Sequence, residues 1–194
     1  MRFVLGPIPA SRVLGPEDEG WAPLREPSSG VFVTKVLLLS VPLLVAAYVM
    51  LREIKGFLRA QPSALVAILA FFALMIPVHE TIHALVYPGG VRSRHLVMGA
   101  WLRRGLCYVV YDSPVSRNRI LSVLCAPFIV VSSVLAVAAV FVPFEWCLLA
   151  ILAILVHTAV CVGDFATIMR LIKQVPRNAL VQNDGWKTFW KSPL

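Results

Sequence analysis

The sequence predicts an all-α membrane protein of about four transmembrane helices, with a short β-hairpin in the loop between spans 2 and 3. Three observations predict it. Of the 194 residues, 59% are hydrophobic and only 14% are charged, against about 45–50% and 25% in soluble domains. Apolar runs recur at Val31–Leu51, Ser63–Tyr87, Ile120–Val142 and Trp146–Met169, each close to the roughly 20 residues that a spanning helix needs. The basic residues lie between these runs rather than within them.

Taken in order, residues 1–30 read as an irregular cytoplasmic N-terminal tail on the membrane surface. Pro7, Pro9, Pro16, Pro23 and Pro27 break any regular element. No apolar stretch followed by a small-residue cleavage site marks a signal peptide. Residues 31–172 form a single four-span membrane domain. Its first run is the weakest, because Pro42 interrupts it; Lys35 near its start can snorkel to the interface. Between the second and third runs, Leu96, Val97 and Met98 precede Gly99, and Leu106–Tyr111 is rich in β-formers. Arg103, Arg104 and Gly105 suit the turn between them, so Val91–Asp112 reads as a hairpin at the membrane surface. Residues 173–194 form a cytoplasmic tail. Trp186, Phe189 and Trp190 among Lys187 and Lys191 suit an interfacial anchor.

Orientation follows from Lys and Arg. With four spans, the N-terminal segment, the Pro88–Arg119 loop and the C-terminal segment share one side. They hold 15 of the 18 basic residues when Lys35 is counted with the N-terminal segment, and only Arg52, Lys55 and Arg59 lie on the other side. The positive-inside rule therefore predicts a multi-pass protein of the cell membrane with both termini cytoplasmic. The same placement assigns the net charge of +8 to anionic lipid rather than to nucleic acid. The four cysteines, Cys107, Cys125, Cys147 and Cys161, have no zinc-ribbon or redox-pair spacing and read as small buried hydrophobes.

The chemistry is concentrated in the second and fourth runs. His79-Glu80-Thr81-Ile82-His83 places two imidazoles four residues apart, on one face of a helix, where both reach one zinc ion. Glu80 lies beside that face, within reach of a metal-activated water. Apart from Lys35, the four runs contain no basic residue. Their acids are Glu80 and Asp164, and their histidines are His79, His83 and His157. An ionisable group at mid-bilayer costs about 2.5–3.5 kcal/mol even on the gentler insertion scale, and every one present is of a type that zinc chemistry uses. A catalytic zinc takes three protein ligands plus water. Asp164 is the best third ligand. At 1.5 Å per residue it lies about 9 Å below the cytoplasmic end of its span, level with His83 and His79 at about 6 and 12 Å. Gly163 beside it suits close helix approach. His157 lies about 10 Å deeper than Asp164 and reads as an outer contact of the metal site or a contact of substrate; a plain helix–helix hydrogen bond is an equal reading. Pro77 suits a kink beside the motif. His95 reads as an exposed loop residue.

These motifs, with Ala84-Leu85, Gly163-Asp164 and Ala179-Leu180-Val181-Gln182-Asn183-Asp184, resemble the putative zincin peptidase family of small integral-membrane proteins, a domain of unknown function. The resemblance runs from about Pro62 to Asp184. More distantly the chain is similar to the site-2 intramembrane metalloproteases, which also carry His-Glu-x-x-His and a later Asp; Phe165 stands where that group usually has Gly after the Asp. The resemblance implies His79, His83 and Asp164 as Zn2+ ligands and Glu80 as the general base. It further implies that the hairpin presents substrate as an added strand.

The expected function is a zinc-dependent intramembrane or membrane-surface peptidase. Its partners would be membrane lipid and a peptide or transmembrane protein substrate, with no nucleic acid. The alternative is a non-catalytic membrane protein, a scaffold or transporter component, whose structural metal site is closed by His157 as fourth ligand. A third reading keeps the chemistry and changes the bond, as in a lipid-linked substrate.

Overall fold

The computed structural model describes residues 1–11 and 20–192; Pro16 and the rest of 12–19 lie outside the described residues. Among the described residues three helices are long and apolar enough to cross a membrane, and a bent pair of helices would pass the same test taken together. They are α1 (Ser29–Glu53), α3 (Pro62–Val86), α4 (Arg117–Val140), and α5 (Phe144–Val160) followed by α6 (Val162–Gln174); a short α2 (Lys55–Ala60) joins α1 to α3. Pro62 starts α3 at a position where a missing N–H costs nothing. Pro77 leaves α3 continuous, and the Thr81 hydroxyl donates to the Pro77 carbonyl at 2.7 Å.

The fourth run is not one straight helix. It bends by 48° at Cys161. No proline lies there, but Val160, Val162 and Gly163 are all poorer helix formers than Ala or Leu. Backbone hydrogen bonds continue through the bend, from the Cys161 N–H to the His157 carbonyl and from the Phe165 N–H to the Cys161 carbonyl, both at 3.0 Å. α5 packs against α1, α3 and α4. The Ser40 hydroxyl of α1, 3.0 Å from the Ala159 carbonyl, ties the first and last spans together.

The expected hairpin forms, as β3 (Leu96–Trp101) and β4 (Leu106–Tyr111), but it is not alone. The all-α expectation is corrected here: the helices carry two small sheets. β1 (Arg2–Leu5) lies parallel to β3, giving the order β1-β3-β4. A second sheet has the order β2-β7-β6-β5, from β2 (Ala22–Pro23), β5 (Val115–Ser116), β6 (Leu180–Asp184) and β7 (Lys187–Lys191). The N-terminal segment expected to be irregular thus supplies a strand to each sheet. The first proline, Pro7, comes only after β1, and Pro23 sits on an outer strand, where a missing N–H is tolerated. Gly99 permits the β1 contact: a Cβ there would overlap the Tyr108 ring and crowd the Val4 carbonyl. The Tyr108 hydroxyl then donates to the carbonyls of Gly6 or Pro7, at 3.2 and 3.1 Å.

The C-terminal aromatic residues are engaged in packing. Trp186 donates its indole N–H to the Pro27 carbonyl at 3.0 Å and meets Phe32 and Trp101 edge-on. The Glu26 carboxylate accepts from the Thr188 N–H and hydroxyl, at 2.8 and 2.9 Å. Buried Arg117 donates to the carbonyls of Leu171 and Ile172, closing the last turn of α6 against the start of α4. One hydrophobic cluster, including Tyr87, Leu96, Val123, Leu171 and Val181, binds the sheets to the helix ends. A second, including Ala47, Ala64, Leu149 and Leu152, fills the opposite end of the bundle.

Candidate metal centre

α3 delivers His79 and His83 one turn apart, and α6 brings Asp164 against both. His79 Nε2 and His83 Nε2 are 3.1 Å apart. Asp164 Oδ2 lies 3.3 Å from the first and 3.5 Å from the second. Tetrahedral zinc with bonds of 2.0–2.1 Å requires ligand atoms about 3.3 Å apart, so the three atoms form one face of such a polyhedron. Asp164 Oδ2 is buried and, the two imidazole nitrogens apart, has no polar partner among the described residues. A buried charged oxygen left so is costly, and a cation between it and the two imidazoles removes that cost. The donor set therefore fits zinc.

The outer contacts differ for the two rings. His83 Nδ1 is 2.9 Å from the Val123 carbonyl of α4, so it carries the proton and leaves Nε2 bare. His79 Nδ1 faces His157 Nε2 at 3.3 Å and Cys161 Sγ at 3.9 Å. His157 thus meets the opposite edge of the His79 ring from Asp164. Glu80 is half-buried and interacts electrostatically with His79, His83 and Asp164, and with Cys107 on β4. Glu80 thus lies within electrostatic range of the ligands, on a helix that packs against β3 and β4.

Among the residues singled out in the sequence, His79, His83, Glu80, Asp164 and His157 come together. His95 does not join them; it is half-buried, and its Nδ1 donates to the Asp112 carbonyl at 3.1 Å. Phe165 packs edge-on against Phe128 with centroids 5.1 Å apart, bracing α6 on α4. Gly163 is not needed for close approach. An added Cβ would meet Phe32 and Val36 at 3.7–3.9 Å, which is ordinary contact.

A protein-family model described as "Putative zincin peptidase" matches residues 72–180. The chain belongs to the putative zincin peptidase family. No curated protein and no solved structure matches it. The stretch that matches the zincin family includes His79, Glu80, His83, His157 and Asp164, and the family assignment makes zinc the expected metal.

Two neighbours of this candidate site leave little trace in the sequence. Cys161 has no zinc-ribbon or redox-pair partner, although its spacing of four from His157 and three from Asp164 places it beside both. The Val123 carbonyl leaves no side-chain signal at all.

Proposed function

We propose that the chain is a zinc-dependent membrane peptidase that cleaves within or at the surface of the bilayer. The observation that carries this reading is the convergence of two imidazole nitrogens and an orphaned buried carboxylate oxygen at zinc-ligand spacing, next to Glu80. His79, His83 and Asp164 would hold the metal. Zinc supplies Lewis acidity there, acidifying a water and polarising a peptide carbonyl. Glu80 takes the proton of the attacking water on its carboxylate and returns it to the departing amide nitrogen.

The structural alternative would use His157 as a fourth ligand. It is less well supported, because His157 contacts the Nδ1 edge of His79 and not the point where the other three atoms meet.

A bilayer setting is supported by the outer faces of the helices. Leu38, Leu39 and Val45 on α1, Val66, Leu69 and Leu74 on α3, and Val134 and Val137 on α4 are all exposed, a far larger apolar surface than water-soluble monomers present. The bias of basic residues supports cytoplasmic termini. β4 is the outer strand of its sheet and packs against α3, the helix that carries Glu80, so an extended substrate segment pairing along β4 would lie beside that helix.

The test is metal analysis of purified protein with cleavage of a detergent-solubilised transmembrane reporter. Native protein is expected to hold one zinc per chain, and His79→Ala and Asp164→Ala none. Glu80→Gln is expected to keep the metal and lose about 10²–10⁴-fold in turnover. Full zinc content in Asp164→Ala, or full turnover in Glu80→Gln, would contradict the assignment.

A further inference from the structure

In a straight helix His157 and Asp164, seven residues apart, project from a similar face about 10 Å apart along the axis. Here both reach the same imidazole. Asp164 Oδ2 is 3.3 Å from His79 Nε2, and His157 Nε2 is 3.3 Å from His79 Nδ1. The bend at Cys161 lies between them and lets the α5–α6 pair fold around the His79 ring, with one residue at each edge.

The atoms at each edge fix the proton positions. His79 Nε2 faces His83 Nε2 and the Asp164 carboxylate, so ligation needs its lone pair there and its proton on Nδ1. The groups facing Nδ1 are His157 Nε2 and the Cys161 sulfur at 3.9 Å. Nitrogen at 3.3 Å is the better acceptor. For His157 Nε2 to accept, a neutral His157 must carry its own proton on Nδ1. The Cys161 sulfur lies 3.8 Å from both His157 Nδ1 and His157 Nε2, so the 3.3 Å contact with His79 Nδ1, and not the sulfur, selects this tautomer. His157 and Cys161 are both fully buried, and His79 is 5% exposed, so no bulk water competes.

We propose that His157 is a positioning residue for the metal centre: its bare Nε2 holds the His79 ring in the Nδ1–H form and aims His79 Nε2 at the ion, and the bend at Cys161 makes this possible. The inference rests on the metal-site reading above but not on peptidase activity. His83 has a backbone carbonyl for the same task, whereas His79 depends on a side chain that can be replaced.

Full-length protein labelled with 15N-histidine and loaded with zinc in detergent micelles gives the ring tautomers by long-range 1H–15N correlation. His157 is expected to be protonated at Nδ1 and bare at Nε2; a proton on Nε2 overturns the proposal. Zinc competition against a chelator supplies a second readout. His157→Ala is expected to weaken zinc binding by about 10- to 100-fold. His157→Gln, whose side-chain oxygen reaches about as far as Nε2, is expected to recover most of that loss. Unchanged affinity in His157→Ala, or no recovery in His157→Gln, overturns the proposal. So does a sulfur-to-cobalt charge-transfer band in cobalt-loaded protein that Cys161→Ser removes, because His79, His157 and Cys161 would then be holding an ion themselves. Should His157→Ala fail to fold, the native tautomer decides alone. If the tautomer is as expected and no peptide is cleaved, the peptidase reading falls and the positioning role stands.

Discussion

Asp164→Asn should reverse the order of stability between native and variant chains, depending on zinc. The substitution keeps the side chain's shape and removes its charge. Without zinc, the nitrogens nearest Asp164 Oδ2 are His79 Nε2 and His83 Nε2, at 3.3 and 3.5 Å. With both rings neutral and protonated on Nδ1 they offer it no proton, and it has no other partner among the described residues. Such a group costs about 1–3 kcal/mol. The Asn amide can donate to an imidazole lone pair, so metal-free Asp164→Asn should melt higher, by roughly 2–12 °C at 2–4 °C per kcal/mol. Zinc at a thousandfold excess over its dissociation constant contributes about 4 kcal/mol to the native chain, roughly 8–16 °C on the same scale. Asp164→Asn retains only the two imidazoles and should lose most of that gain. The assay is thermal unfolding in detergent, with chelator or with zinc, at a pH well above the ordinary imidazole value of about 6.5. Equal zinc stabilisation in both chains would refute Asp164 as a ligand. A variant less stable than native in chelator would refute the orphan argument.

Other outcomes follow from particular contacts. Gly163→Ala should leave zinc content unchanged and alter stability by no more than about 1 kcal/mol, on the favourable side, because its Cβ meets only ordinary contacts inside a helix; melting and metal analysis check this. Gly99→Ala should cost about 1–3 kcal/mol, since its Cβ overlaps Tyr108 and crowds Val4, and amide exchange should show β1 loosening first. Cys107 is the exposed cysteine. Partial burial, and then the negative charge of Glu80, hold its thiol above the ordinary range. Less thiolate is therefore present at neutral pH, and the inflection of alkylation rate with pH should lie above that of a free thiol at about 8.5. In Glu80→Gln that inflection should move down; an unmoved inflection would place Glu80 away from β4.

The helices were legible because apolar length is a strong local signal, and α1, α3 and α4 each include the whole of an expected run apart from a few terminal residues. The meeting of His79, His83 and Asp164 was legible for a related reason: His79 and His83 share a helix face, and position along two helices is simple arithmetic. The depth of His157 was misleading, because a rise of 1.5 Å per residue assumes a straight helix, and the modest helix propensity of Val160, Val162 and Gly163 is too weak a signal to announce a bend of 48°. The second sheet was hidden for another reason. β2 and β5 are two residues long, too short for any alternation, and their pairing is decided by partners more than 60 residues away. Prolines dominate the reading of residues 1–30, yet the strand Arg2–Leu5 precedes all of them.

The parallel pairing of Arg2–Leu5 with Val97–Ala100 has a consequence for biogenesis. Those first residues leave the ribosome 95 positions ahead of their partner strand, and the helices α1 and α3 are made in between. They must stay unpaired until β3 has been made, and the sheet that includes the hairpin is finished only after that wait. A bulky fusion ahead of Met1 would burden this late step and leave the helices untouched, so where a tag is attached becomes a probe of when the platform beside Glu80 is assembled.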